Sequence, residues 1–196
     1  MTQPTDNSTS VGSFEAPPAV GHRLTDLELA RVDGSPVMLS DAITGPTIVP
    51  IVRYYGCMPC RDFLIALGEL SDRAEAAGIG LLGVGRAADY QAERLMTTLV
   101  NFELLIDPEQ RLYDALALHR FPWWRLFDPR TAWYYLRSLR RARQGRIANH
   151  ALQSPGVVVL DADLRILHVH RGSTIGDYPS ATEALRLAVE AVEAVG

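Results

Sequence analysis

The chain has 196 residues, 47% of them hydrophobic and 21% charged, with a mean hydropathy near zero, which is enough to bury one sizeable core. A formal net charge of −4 and a pI near 5.7 argue against a general nucleic-acid binder. All 19 basic residues are arginine, which excludes lysine Schiff-base chemistry, and no run of about 20 uncharged apolar residues offers a membrane span.

Residues 1–19 are rich in Thr, Ser, Pro and Asn and lack both a basic start and an apolar core. They read as a disordered lead-in, neither signal peptide nor anchor, with one domain expected over 20–196. A soluble cytoplasmic protein with no membrane or nucleic-acid partner is the resulting expectation. Residues 24–31 and 37–39 flank Val32-Asp33-Gly34-Ser35, a turn signal between extended runs, hence a β-hairpin. Residues 47–54 form a near-continuous apolar strand of the kind buried on both faces. The run breaks at Gly56 into Cys57-Met58-Pro59-Cys60, after which Phe63, Leu64, Leu67 and Leu70 recur at helical spacing up to a cap at Gly78.

A strand over 79–84, a helix over 87–99 and a short strand over 104–106 continue a βαβ pattern with right-handed crossovers. Residues 121–146 read as an aromatic, Arg-rich helical insertion that opens with Phe121-Pro122-Trp123-Trp124. Within it, 131–144 is expected as one helix whose Trp133, Leu136 and Leu139 face the protein while Arg137, Arg140, Arg141 and Arg143 are solvated; a dedicated anion or partner site is the other reading. Residues 157–160 and 166–169 form a second hairpin, and Ser180-Ala181-Thr182-Glu183 is a capping box opening a last helix with Leu185, Val189 and Val192 on one stripe.

Both cysteines of the chain lie where the 47–54 strand gives way to a helix. At that spacing their side chains can close into a disulfide with little backbone movement. The first turn of a helix offers unpaired N–H groups and the positive end of the macrodipole. With Arg53 and Arg61 nearby, Cys57 is expected as a largely ionised nucleophile and Cys60 as the resolving thiol. A zinc half-site and inert core cysteines are the alternatives. The five histidines form no recognisable zinc pair to complete a C-x-x-C, so no metal and no cofactor are expected.

The order hairpin, strand, C-x-x-C at a helix start, βα, then hairpin and helix resembles the thioredoxin fold: an α/β protein with a central mixed sheet flanked by helices and an N-terminal β-hairpin extension. Val20-Gly21-His22, Val37-Met38-Leu39-Ser40-Asp41 and Gly156-Val157-Val158-Val159-Leu160-Asp161 resemble the AhpC/TSA (alkyl hydroperoxide reductase/thiol-specific antioxidant) superfamily. Arg53-Tyr54-Tyr55-Gly56-Cys57-Met58-Pro59-Cys60-Arg61 is similar to its peroxiredoxin-like branch with an R-x-x-x-C-x-x-C-R signature. The resemblance implies a peroxidatic Cys57. It departs at Tyr54, which stands where peroxiredoxins place a threonine, and at Ser154-Pro155-Gly156, where they place an activating arginine and thioredoxins a cis-proline. Arg53 with a tyrosine hydroxyl would then activate the peroxide, Tyr54, Tyr55 and Arg61 would line the substrate site, and Pro155 would keep a backbone amide free for substrate. The implied activity is peroxide, hydroperoxide or endoperoxide reduction, reset by an external thiol reductant, either a thioredoxin-like protein or a low-molecular-weight thiol. A protein or small-molecule disulfide reductase is the second reading, and a redox-responsive interaction module without turnover the third.

Overall fold

The computed structural model describes residues 16–86, 89–146 and 152–195. The expected lead-in therefore lies, up to residue 15, outside the described residues, as do the first two positions of the helix expected over 87–99. Strand β1 (Glu28–Ala30) pairs antiparallel with β2 (Pro36–Met38), as the hairpin signal requires. Asp33 closes the turn by accepting from the Ser35 N–H at 2.9 Å, and Gly34 sits at φ +85°, where a side chain is strained.

One turn of helix α1 (Leu39–Ala42) leads into β3 (Thr47–Val52), all of which is buried. Ile48 and Val52 enter one core and Val49 and Ile51 the other, which explains the unbroken apolar run. The single helix expected after the cysteines is two, α2 (Met58–Gly68) and α3 (Ser71–Ala76). Gly68, a weak helix former packed close to Val100 and Asn101, ends the first; Gly78 at φ +70° follows the second. Strand β4 (Gly80–Gly85), helix α4 (Asp89–Thr98) and strand β5 (Glu103–Ile106) complete the βαβ unit. A short helix, α5 (Arg111–Ala115), was not anticipated. The buried Asp107 carboxylate builds it by accepting from the backbone N–H groups of Arg111 and Leu112 at 3.1 and 2.9 Å.

The Arg-rich stretch contains a 3-10 turn (Trp123–Phe127) and helix α6 (Pro129–Ser138), capped by Asp128, which accepts from the Arg130 N–H at 2.8 Å. Two expectations fail here. The helix stops at Ser138, leaving Arg140, Arg141 and Arg143 beyond it, and Trp133, Leu136 and Leu139 point outward rather than into the protein. Polar anchors decide which face packs. Thr131 Oγ1 bonds Thr174 Oγ1 at 3.1 Å, Tyr134 donates to Asp177 at 3.1 Å, and Ser138 donates to Asp62 on α2 at 3.2 Å.

Strands β6 (Gly156–Leu160) and β7 (Ile166–Arg171) form the second hairpin, and Ser180 caps α7 (Ala181–Glu193) by accepting from the Glu183 N–H. The seven strands make one mixed sheet in the order β2-β1-β5-β4-β3-β6-β7. Central β3 runs parallel to β4 and antiparallel to β6, so its C-terminal end delivers the cysteine segment at the middle of the sheet edge. Among the described residues, no helix is long and apolar enough to cross a membrane.

Candidate active site

Gly56 makes the corner between β3 and α2 possible. A Cβ there would collide with Gln91 Oε1 and the Arg146 carbonyl, so only glycine admits the segment that crosses it. Cys57 is the N-cap of α2, with extended backbone (φ −70°, ψ 123°) and a carbonyl that accepts from the Arg61 N–H at 2.9 Å. Pro59 lies in the first turn, where its missing N–H costs nothing. Cys60 follows one turn in. Both cysteines are free thiols within hydrogen-bonding reach of each other, and both are fully buried.

Arg53 is 1% exposed, and among the described residues no carboxylate pairs with it. Its Nη1 donates to Cys57 Sγ at 3.5 Å, its side chain also bonds Tyr135, and its guanidinium lies over the Tyr54 ring at 5.7 Å. Burial disfavours its charge, but the two thiols and the Tyr135 hydroxyl outweigh this and raise its pKa. Tyr178 donates to Cys60 Sγ at 3.3 Å and stacks on Phe63 with ring centroids 4.6 Å apart. Its own pKa is pushed well up, first by burial and then by the charge on the sulfurs, so it remains a donor.

The two sulfurs lie within reach of each other, so the charge state of one bears on the other. Burial and the Cys60 contact push the Cys57 thiol well up. Cys60 is buried too, but the Cys57 S–H, the Arg53 charge and the Tyr178 hydroxyl bring it down to about 7. The pair thus shares one proton between two sulfurs near neutral pH, with the Arg53 guanidinium on the Cys57 side and the Tyr178 hydroxyl on the Cys60 side.

A strap closes the site. Gln144 accepts from the Met58 N–H at 3.1 Å and donates to the Gly56 carbonyl at 2.9 Å and the Tyr54 hydroxyl at 3.3 Å; the Gly145 N–H bonds the Gly56 carbonyl at 2.7 Å. The unpaired helix N–H that the sequence offers to a thiolate is therefore partly taken. Beside the pair a groove of about 250 Å³ opens between α2, α6 and the start of α7, with Pro59, Tyr134 and Tyr178 in its wall.

Of the residues expected at the site, Arg53, Tyr54, Cys57 and Cys60 come together. Tyr55 does not: its hydroxyl donates to the Leu105 and Gly83 carbonyls at 2.5 and 3.3 Å and pins the corner to β4 and β5. Arg61 is half-buried and makes no contact with either sulfur that would tune it; burial first and then the Arg94 charge lower its own pKa. Pro155 is buried, but among the described residues every peptide bond is trans. The backbone amide expected to be free beside it is also occupied. The Ser154 N–H donates to the His119 carbonyl at 3.0 Å, and Arg120 bridges Gln153. Tyr135, Gln144 and Tyr178 were missed, having no motif; they lie 78 or more residues from Cys57 and reach it only through the fold.

The profile of the AhpC/TSA antioxidant enzyme family matches residues 66–174, more than half of the chain and beginning just beyond the cysteines. The chain belongs to this family and is a thiol-dependent oxidoreductase. It is similar to the prostamide/prostaglandin F synthases of Bos taurus and Homo sapiens. The bovine protein is 27% identical over 188 residues, covering 85% of this chain and 92% of the relative; the human one is 27% identical over 173 residues, covering 79% and 86%. Peroxidoxin BcpB from Mycobacterium tuberculosis shares the fold at a TM-score of 0.64 and 15% identity, over 90% of this chain and 97% of that one. A putative thiol:disulfide interchange protein DsbE from Chlorobium tepidum does so at 0.57 and 17%, over 91% and 99%. At these identities the two structures speak to fold.

Proposed function

We propose that the chain reduces a peroxide or organic hydroperoxide with its Cys57–Cys60 pair, and that an external thiol resets it. The observation that carries this reading is Arg53: a buried guanidinium with no carboxylate among the described residues, 3.5 Å from Cys57 Sγ. Such a cation needs an anion beside it, and a thiolate or the oxygen released by O–O cleavage supplies one.

With the shared proton on Cys60, the thiolate is on Cys57 beside Arg53, and the Cys60 proton is later taken by the departing alkoxide. The Cys57 sulfur attacks the terminal oxygen of R–O–O–H, the O–O bond breaks, Cys57 becomes a sulfenic acid, and the alkoxide leaves as the alcohol after taking that proton. The Cys60 thiolate then attacks the Cys57 sulfur, forming the disulfide and releasing hydroxide, which is protonated to water. An external thioredoxin-like protein or small thiol returns two electrons through a mixed disulfide. Tyr178 positions Cys60, and Tyr54 and Tyr135 position Arg53. An endoperoxide is a further candidate, in keeping with the similarity to prostamide/prostaglandin F synthases: Cys57 attack would give a sulfenate ester and one hydroxyl, and Cys60 attack on that sulfur would form the disulfide and release the second oxygen as a hydroxyl, each alkoxide taking a proton.

Disulfide reduction is disfavoured by the paired edge before Pro155, which leaves no free amide there for an extended substrate. Stopped-flow oxidation of the reduced protein by hydrogen peroxide, cumene hydroperoxide and a model disulfide tests the choice. The expected result is one equivalent of hydroperoxide consumed and a Cys57–Cys60 disulfide, seen in the mass spectrum as loss of two hydrogens. Rapid exchange with the disulfide and no reaction with either peroxide would reverse the assignment.

A further inference from the structure

All three tryptophans of the chain, Trp123, Trp124 and Trp133, lie in residues 120–146. Together with Phe127, Leu136 and Leu139 they are between 60% and 76% exposed. Isolated surface apolar side chains need no explanation, but six large ones on a 3-10 turn and the outward side of the following helix do. The same stretch holds eight of the 19 arginines and one of the 23 acidic residues. The rest of the chain is therefore strongly acidic, and the charge is segregated rather than mixed.

We infer that this face docks on an anionic lipid surface. Trp and Phe seat at the boundary between headgroups and acyl chains, while arginines snorkel to phosphate and draw the face to negative lipid. Arg130, Arg137 and Arg140 are exposed among the aromatic residues, as such a contact needs. A symmetric contact between two copies would set these like charges against each other, and an acidic protein would satisfy the arginines but leave so much aromatic surface without a stated complement. Charge and aromatic content together favour the lipid surface. The inward side of the same helix carries Tyr134 and Tyr135, which bond Asp177 and Arg53, so α6 stands between the docking face and the thiols. The inference does not depend on the peroxidase reading, because binding needs no turnover.

The tryptophans report on the face directly. The full chain is mixed with vesicles of phosphatidylcholine alone or of phosphatidylcholine with phosphatidylglycerol, and tryptophan emission and co-sedimentation are followed. A blue shift and pelleting with the mixed vesicles at low salt are expected. Both should weaken by roughly thirtyfold in Arg137→Gln/Arg140→Gln, which removes two surface charges, and should also weaken in Trp123→Ala/Phe127→Ala. These positions are exposed, and unchanged far-UV circular dichroism checks that the variants fold. Three results would each overturn the inference: no shift or pelleting with mixed vesicles, equal binding to neutral vesicles unaffected by the substitutions, or the same shift produced without vesicles. In the last case poly-glutamate as the trigger indicates an acidic protein partner, and rising protein concentration indicates self-association.

Discussion

Arg53 and the arginines of residues 120–146 occupy opposite surroundings. Arg53 lies in an apolar corner, hydrogen-bonded to Cys57 and Tyr135 and stacked near Tyr54. Arg125 and Arg141 pair with Asp128, Asp62 and Glu69 at 3.1 to 3.2 Å in partly exposed contacts, which are worth about 0–1 kcal/mol each. Those pairs orient the excursion over α2 more than they stabilise it. A buried unpaired guanidinium costs several kcal/mol, and the chain retains it beside two thiols whose ionisation it favours. The same side chain thus tunes chemistry in one region and presents charge in the other, and burial decides which.

Six substitutions sharpen that contrast. The largest effect should come from Cys57→Ser, which removes hydroperoxide turnover altogether. Cys60→Ser should retain a single oxidation of Cys57 and then stop, with the sulfenic acid trapped by dimedone. Retained turnover in Cys57→Ser would move the attacking role to Cys60.

Arg53→Gln comes next. Loss of a buried charge aimed at the reacting sulfur should slow peroxide reduction by about a hundredfold. The pH profile of iodoacetamide labelling carries the sign. Labelling follows the thiolate fraction, so it should rise with pH through about 7 in the parent protein. Without Arg53 the midpoint moves up, and labelling at pH 7 falls. Arg140→Gln, on the exposed side, should leave both the rate and the midpoint where they were. Equal effects of the two would dissolve the distinction between the regions.

Tyr178→Phe should act more gently, because the ring and its stacking on Phe63 survive and only the donor to Cys60 is lost. An upward shift of about one unit in the pair's first ionisation is expected, equal to roughly 1.4 kcal/mol. Disulfide formation should slow while the first oxidation of Cys57 changes little. An unchanged labelling profile would make Tyr178 a packing residue only.

Much of this was legible in sequence, and the failures have physical causes. Continuous apolar runs placed β3 and β6, because both faces of the sheet are covered, and the Asp33-Gly34 and Ser180 signals placed a turn and a cap through local hydrogen bonds. The cysteine corner was readable because strand, glycine and helix start are contiguous. Helix α6 was misread in orientation: Trp133 and Leu136 promised a buried stripe, but Thr131, Tyr134 and Ser138 find polar partners on other elements and turn that stripe outward. The thiolate was assigned to Cys57 from the helix dipole. Complete burial of both sulfurs and the Tyr178 hydroxyl, contributed from 118 residues beyond Cys60, make the ionisation a property of the pair, which spacing alone does not show. Long-range partners of this kind leave no spacing signal.

The smallest effect concerns Gln144, whose side chain bridges the strap to the first turn of α2. Its amide serves the Met58 N–H, the Gly56 carbonyl and the Tyr54 hydroxyl at once. Gln144→Ala removes all three contacts but leaves the Gly145 N–H on the Gly56 carbonyl, so the strap loosens without detaching. The residue is exposed, water replaces the lost partners, and the stability cost should be about 1 kcal/mol or less. Freeing the Met58 N–H also returns one donor to the helix start, which favours a thiolate on Cys57. Iodoacetamide labelling at pH 7 should accordingly rise a few-fold, with most of the gain on Cys57 in the peptide map. Faster labelling of Cys57 with an almost unchanged melting temperature would identify the strap as the barrier to the buried thiols. Unchanged labelling would shift that role to the backbone contact at Gly145, and a large loss of stability would mean that the strap belongs to the core of the corner rather than to its cover.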